Sequence, residues 1–186
     1  MKSDKQKSGA SADALGRLKA DHDKIKALFG EFDILKGEAN KDLRKAELVD
    51  QICYEVTLHS MLEEEILYPA LRRSISDDAL LDEADIEHAG ARALIGQLEI
   101  MAPGDDHYDA TVTVLCEEVA HHIKKEEVAL FALFKAARSA GIDLDALGEQ
   151  LAARKDELAE DLSAPPSTID AMMPHDGARR APRPPN

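Results

Sequence analysis

Residues 58–71 read LHSMLEEEILYPAL, an apolar helical pattern that is interrupted by His59 and Glu63. These two residues are four positions apart, so on an α-helix they lie one turn apart on the same face. The rest of that face is apolar and consists of Ile52, Val56, Ile66 and Ala70. The stretch therefore predicts a helix that faces the core and carries two polar side chains where core residues are expected.

The same pattern returns sixty-three residues later as HHIKKEEVALFALF at residues 121–134. His122 and Glu126 occupy the places of His59 and Glu63, and seven of twenty residues are identical between 52–71 and 115–134. The register matches as well as the motif. Two such helices that face each other in a bundle would bring two imidazoles and two carboxylates together.

Helical periodicity runs through most of the chain, and Gly and Pro collect between or beyond the periodic segments. We predict an all-α protein, with an up-down-up-down four-helix bundle over residues 12–140 and an extra C-terminal helix over 141–162. Short loops favour antiparallel neighbours. Residues 1–11 are predicted to be a flexible N-terminus, and residues 163–186, which are rich in Pro, a disordered tail.

Three residues carry further predictions about the helix ends. Asp13 (or Ser11) suits the N-cap of the first helix, and Asp143 suits the N-cap of the last one. Pro69 is expected to bend or loosen the last turn of the second helix.

Composition excludes several classes of function. The chain of 186 residues has 23 Lys+Arg against 37 Asp+Glu, a formal charge of -14, which repels nucleic acid and anionic membrane surfaces. It has neither an apolar run long enough to span a bilayer nor a signal-peptide core, so we expect a cytoplasmic protein. Cys53 and Cys116 lie about 120° around their helices from the neighbouring histidines. They are expected to be small buried thiols rather than ligands.

His22 and His88 each fall within the apolar stripe of another helix, so every helix of the predicted bundle offers one imidazole to the core. Buried carboxylates without partners would destabilise the fold, whereas bound cations would reverse that penalty. Six nitrogen and oxygen ligands are too many for one zinc ion and too rich in nitrogen for calcium or magnesium. They suit two first-row ions, iron or manganese, held by His22, His59, Glu63, His88, His122 and Glu126.

Some alternatives stay open in the sequence. His121 could take the place of His122, and with Glu118 it matches half of a ferritin-type Glu-x-x-His pattern. Glu55 and Glu118 stand one turn before the two histidines, where they could orient the rings, join the metal or lie in solvent. His107 and His175 are expected to be exposed. Small residues around His88 predict a path for gases, namely Ala84, Ala89, Gly90 and Ala91.

The succession of Asp21-His22, His59/Glu63, His88 and His122/Glu126 resembles the hemerythrin-like, or HHE cation-binding, family over about Leu15 to Arg138. The resemblance implies that these six residues hold a carboxylate-bridged non-haem centre of two iron ions, Fe2+ or Fe3+. It further implies a protein that binds or reacts with O2, peroxide or NO, in oxidative or nitrosative stress or another redox role.

One position departs from the family pattern. Oxygen-carrying hemerythrins have a second His four residues after the one on the third helix, and here that residue is Arg92. A seventh protein ligand is therefore missing, which weighs against reversible O2 transport. The alternative is an iron- or oxygen-sensing interaction module without turnover, although no motif identifies its protein partner. Iron storage is disfavoured because nothing indicates a cage-forming assembly.

Overall fold

The structure is a computed structural model that describes residues 13–38, 40–73, 79–139 and 141–163. Over these ranges the chain is helical and contains no strand, which confirms the predicted all-α class. The elements are α1 (Ala14–Leu35), α2 (Asp42–Leu62), a π-helical turn (Glu63–Leu67), α3 (Tyr68–Arg72), α4 (Ala79–Leu98), α5 (Tyr108–Ser139) and α6 (Leu144–Ser163). The predictions for residues 1–11 and for the tail after Ser163 lie outside the described residues.

The bundle has the predicted arrangement. Helix α1 packs against α2 and α5, and α4 packs against the same two helices, so the four form a closed ring around one core. The π turn and α3 continue α2 without a break and together make up the second predicted helix. Helix α6 is the extra helix, and it packs across α1, α2 and the π turn.

Two predicted N-caps are confirmed. Oδ1 of Asp13 accepts a hydrogen bond of 2.9 Å from the backbone N–H of Gly16 at the start of α1. At the start of α6, Oδ1 of Asp143 accepts from the N–H groups of Asp145 (3.1 Å) and Ala146 (3.0 Å). Such caps satisfy backbone donors that the first helical turn leaves open, and each stabilises a helix by about 1 kcal/mol.

The π turn ends at Leu67, two residues before Pro69, where the sequence predicts a loosened helix. Proline has no N–H, and in a regular helix its ring would clash with the carbonyl of Glu65, four residues earlier. Here the N–H of Tyr68 donates to the carbonyl of Glu63, five residues earlier, which widens the helix by one residue. The irregularity begins at Glu63, one of the candidate metal ligands.

The buried apolar residues form two clusters. The first joins the start of α1, the end of α2 and the buried face of α6, as with Leu18, Leu62 and Leu151. The second joins the later part of α1 to the first half of α5, as with Phe32 and Leu115. Between them lies the level of the histidines. Within the described ranges, no helix has the length and apolarity needed to cross a bilayer.

Candidate metal centre

The six predicted site residues meet in one buried layer, which we call the polar layer. Each keeps at most 4% of its surface exposed. They come from five elements, because α1, α2, the π turn and α4 supply one residue each and α5 supplies two. The members of the polar layer are His22, His59, Glu63, His88, His122 and Glu126.

One half of the polar layer lies between α1, α2 and α5. Nε2 of His22 is 3.2 Å from Oε2 of Glu126, and Nε2 of His59 is 3.4 Å from Oε2 of Glu63. The two rings meet edge to face with their centroids 4.9 Å apart. Ligand atoms of these four residues all lie within 4.8 Å of one another, a spacing that could hold a metal ion.

The other half lies between α4 and α5 and shares Glu63. Nε2 of His88 and Nε2 of His122 are 3.3 and 3.7 Å from the same Oε2 atom of Glu63. These three residues form a second group with metal-ligand spacing. Glu126 also approaches both halves, because its Oε2 is 3.4 Å from Nε2 of His122. Two carboxylates therefore stand between two sets of imidazoles.

Several atoms of the polar layer are buried without a hydrogen-bond partner among the described residues. They are both ring nitrogens of His22, Nε2 of His59, Oε1 of Glu63 and Oε2 of Glu126. A buried polar atom without a partner destabilises the fold by roughly 1–3 kcal/mol. Imidazole nitrogen and carboxylate oxygen together are the donor set of first-row divalent ions. The residues present therefore fit bound metal.

The charges in the layer are strongly coupled. Burial acts to raise the pKa of Glu63, but the neighbouring His59, His122 and His88 outweigh it and hold that pKa well below its usual range. For His122, burial acts to lower the pKa, but the nearby carboxylates of Glu126 and Glu63 outweigh it and raise that pKa. Burial lowers the pKa of His59. Positive charge is thus favoured at His122 and disfavoured at His59.

A family model for the Hemerythrin HHE cation binding domain matches residues 13–134. The chain belongs to this family. The match covers the four bundle helices up to residue 134 and all six residues of the polar layer, and it leaves α6 outside.

Two relatives extend the comparison. A DNA nickase from Nostoc sp. (strain PCC 7120 / SAG 25.82 / UTEX 2576) is 29% identical over 118 residues, which are 63% of this chain and 32% of that protein. This chain thus spans about a third of the length of the curated relative that it matches. A hemerythrin HHE cation binding domain-containing protein from Mycobacterium kansasii superposes with a TM-score of 0.65 at 22% identity, over 82% of this chain and 93% of that one. This second likeness shows the fold.

Three further carboxylates of this HHE domain lie behind the rings, and sequence reasoning missed them. Glu64 lies 2.9 Å from Nδ1 of His88, and Glu87 lies 2.9 Å from Nδ1 of His122. Glu127 lies 3.4 Å from Nδ1 of His22, outside hydrogen-bond geometry. A signal existed for two of them, because Glu64 and Glu127 are identical residues at matching positions of the repeat. We call these three the outer carboxylates.

Each outer carboxylate is also paired with a cation. Arg92 donates to Glu64, Lys125 donates to Glu87 (2.7 Å) and Lys26 donates to Glu127 (2.7 Å). Arg92 therefore belongs to the site, although a guanidinium does not bind metal ions. It holds the carboxylate that orients His88. Outer partners of this kind fix ring orientation and increase the basicity of the ligand.

Tyr68 is a second residue that sequence reasoning missed. Its hydroxyl donates to Oε1 of Glu126 at 2.9 Å and lies 3.2 Å from Oε2 of Glu63, so it spans both carboxylates of the polar layer. Its ring stacks on His88 with the centroids 5.7 Å apart. Burial first, and then the two carboxylates, raise the pKa of Tyr68. The phenol therefore remains a hydrogen-bond donor.

The structure distinguishes the residues that the sequence left open. His121, Glu118 and His107 are exposed, whereas His122 is buried in the layer. Glu55 is buried, but it accepts a hydrogen bond of 2.6 Å from Nζ of Lys24. His175 lies outside the described residues.

The cysteines stay apart from the polar layer. Cys53 and Cys116 are free, half-buried and packed on the second apolar cluster. Burial, more than neighbouring acidic groups, raises the pKa of each thiol to about 12. Their position fits the predicted role as small core residues.

Space beside the layer is unevenly distributed. A cavity of about 120 Å³ reaches His59 and Glu63 from the side of α6. Next to His88, where small side chains predict a gas path, the space is only about 20 Å³. One water molecule needs roughly 10–15 Å³, so the space at His88 holds little more than one water. A small ligand therefore has more room to reach the polar layer beside His59 than beside His88.

Proposed function

We propose that this HHE domain holds two iron ions, bridged by Glu63 and Glu126. The observation that carries the proposal is the position of Glu63. This carboxylate belongs to both groups with metal-ligand spacing, one with His22, His59 and Glu126 and the other with His88 and His122. Two positive ions would also neutralise the charge of the buried carboxylates and give ligand partners to the buried atoms of the layer that lack a hydrogen bond.

We further propose that the centre reacts with O2, peroxide or NO and serves in oxidative or nitrosative stress. Bound iron would supply the electrons and the open coordination positions for such a ligand. The chain supplies the rest. Tyr68 holds both carboxylates, Glu64 and Glu87 orient two of the rings, and the apolar clusters on both sides limit the access of water.

Arg92 supports reaction rather than reversible transport. Oxygen-carrying hemerythrins have a seventh ligand at the place of Arg92. In this chain the Arg92 guanidinium donates a hydrogen bond to Glu64 instead. Only two imidazoles then serve each ion, so more coordination positions are left for an exogenous ligand.

The test is to load the purified protein anaerobically with Fe2+ and to follow its absorption spectrum on addition of O2, hydrogen peroxide, azide or NO. We expect about two irons per chain, a stoichiometry that falls on His59→Ala or Glu126→Ala and is retained on His121→Ala. Consumption of excess peroxide or NO would identify an enzyme. A protein that binds no iron would refute the proposal.

A sensor without turnover is the second candidate, and the position of α6 favours it. Lys155 pairs with Asp21, the neighbour of His22, and Arg154 pairs with Glu65, two residues after Glu63. A change in the centre could thus alter how α6 docks. Limited proteolysis of the iron-loaded and the iron-free protein distinguishes this case, because only a sensor should expose α6 when the iron state changes.

We do not extend DNA nicking to this chain. The match covers 32% of the relative, and a formal charge of -14 opposes binding to a phosphate backbone. A cytoplasmic location and the absence of a nucleic-acid partner belong to the proposal. A gel shift with duplex DNA at low salt checks the second point, and we expect no shift.

A further inference from the structure

The cavity beside His59 has two chemically different ends. Its inner end is formed by His59 and Glu63, both buried in the polar layer. Its outer end is formed by Arg17, Asp21 and Lys155, where Asp21 and Lys155 make a partly exposed ion pair. The wall between them is apolar and consists of Leu18, Ala20, Leu62, Leu67, Leu151 and Ala152.

The volume of the cavity exceeds what a diatomic ligand needs. About 120 Å³ is roughly ten times the 10–15 Å³ that one water molecule needs. An apolar wall gives water few partners and favours a ligand with an apolar body. Only the inner end, next to the proposed iron, offers a place for a polar head that binds metal.

Helix α6 forms one side of this cavity. Leu151, Ala152 and Lys155 all belong to α6, which lies beyond the residues that match the family model. Leu151 is buried in the first apolar cluster, so the position of the helix is fixed by packing. Without α6 the inner end would open to solvent.

We propose that this cavity binds a small organic hydroperoxide, with its alkyl group against the apolar wall and its peroxide group at His59 and Glu63. Leu151 and Ala152 determine the size of ligand that fits. The proposal rests on the proposed function for the reaction of the peroxide group. Binding of an apolar group in the cavity, against its apolar wall, needs no metal and is tested separately.

The first experiment uses xenon, which occupies apolar cavities. Crystals of the metal-free protein are pressurised with xenon, for the wild type, for Ala152→Phe and for the control Ala153→Phe. Ala153 is exposed on the same helix. We expect xenon beside Leu151 in the wild type and in the control, and none in Ala152→Phe. A wild-type cavity without xenon would overturn the proposal, whatever the protein does with iron.

The second experiment compares tert-butyl hydroperoxide with hydrogen peroxide as oxidants of the protein loaded with Fe2+. Cleavage of the O–O bond would take one electron from each of the two ferrous ions and two protons, and would give tert-butanol and water in the first case and two waters in the second. Ala152→Phe should slow the reaction with the alkyl hydroperoxide by at least about tenfold relative to hydrogen peroxide, while Ala153→Phe leaves the ratio unchanged. Leu151→Ala enlarges the cavity and should instead favour the bulkier cumene hydroperoxide. Equal ratios in all variants would overturn the proposal, whereas failure to bind iron would refute the proposed function and leave the xenon result standing.

Discussion

The Nε2 atoms of His88 and His122 lie 3.1 Å apart, although the two rings come from different helices. In each ring the other nitrogen, Nδ1, faces a carboxylate, Glu64 for His88 and Glu87 for His122. If each Nδ1 donates to its carboxylate, both Nε2 atoms point lone pairs at the same place, next to Oε2 of Glu63. Two lone pairs that face each other repel, so this arrangement is relieved either by a proton on His122, whose pKa is raised, or by a cation that both rings bind.

Loss of His88 should remove one ion and leave the other. The group of His22, His59, Glu63 and Glu126 does not include His88, so we expect His88→Ala to retain about one iron per chain. Glu63→Ala should lose both ions, because this carboxylate belongs to both groups. Iron content after anaerobic loading and gel filtration measures both variants. Equal stoichiometry in the two would show that Glu63 does not bridge.

Removal of the Tyr68 hydroxyl should destabilise the metal-free protein by about 1–3 kcal/mol. Tyr68→Phe leaves two buried carboxylates without the donor that they share. Urea unfolding measures the change. The matched control is Tyr54→Phe, a half-buried tyrosine that packs on the first apolar cluster. We expect its unfolding midpoint to stay close to that of the wild type, and a similar loss in both variants would argue against the bridging hydroxyl.

Glu64→Ala should weaken the binding of one ion. Glu64 is the outer carboxylate of His88, and loss of such a partner lowers metal affinity by about 10–100-fold. Competition with a coloured chelator gives the two affinities, of which only one should fall. Glu65→Ala is the control, because Glu65 is the next residue but pairs with Arg154 on α6. A matching loss in the control would mean that net charge, rather than ring orientation, sets the affinity.

The two cysteines should resist alkylation in the native protein. Burial raises the pKa of Cys53 and Cys116 to about 12, so at pH 8 the reactive thiolate is about four orders of magnitude rarer than the thiol. Because the folded pKa values are raised, these thiols destabilise the fold only as the pH rises above the pKa of an unfolded cysteine. Iodoacetamide labelling followed by mass spectrometry, with and without urea, tests the expectation. Rapid labelling of the native protein would instead support a redox role.

Much of the helical bundle can be predicted from the sequence, because each helix has a stripe of apolar residues and ends at polar residues, Gly or Pro. His22 lies between Leu18 and Ile25 in the stripe of α1, and both neighbours are buried as the period predicts. Leu162 is an exception, since the same period places it in the stripe of α6, yet 44% of its surface is exposed. It stands one residue before the end of α6, where it lines an open surface pocket beside α2 and α4 instead of packing in the core.

The inner part of the candidate site could be predicted, and its surroundings could not. His59 and Glu63 stand out because a polar pair in an apolar stripe violates the local pattern. Arg92 and Lys125 do not stand out, since cations on an exposed helix flank are ordinary. Only the tertiary fold gives them their carboxylates, because α4 brings Arg92 to Glu64 of the π turn and α5 brings Lys125 to Glu87 of α4. The cavity depends on where α6 docks, which no local pattern specifies.

The π turn explains why the two halves of the repeat are not equivalent in space. An extra residue rotates everything that follows by ~100° about the helix axis. In a regular α-helix, Leu67 would lie one turn after Glu63 on the same face. Because of the π turn, Tyr68 lies on that face instead. The second copy, within α5, has no proline at the matching position and continues as a regular helix to Ser139. No residue is inserted in the sequence, yet the change of backbone register in one copy gives a repeated pattern one phenol that serves both carboxylates.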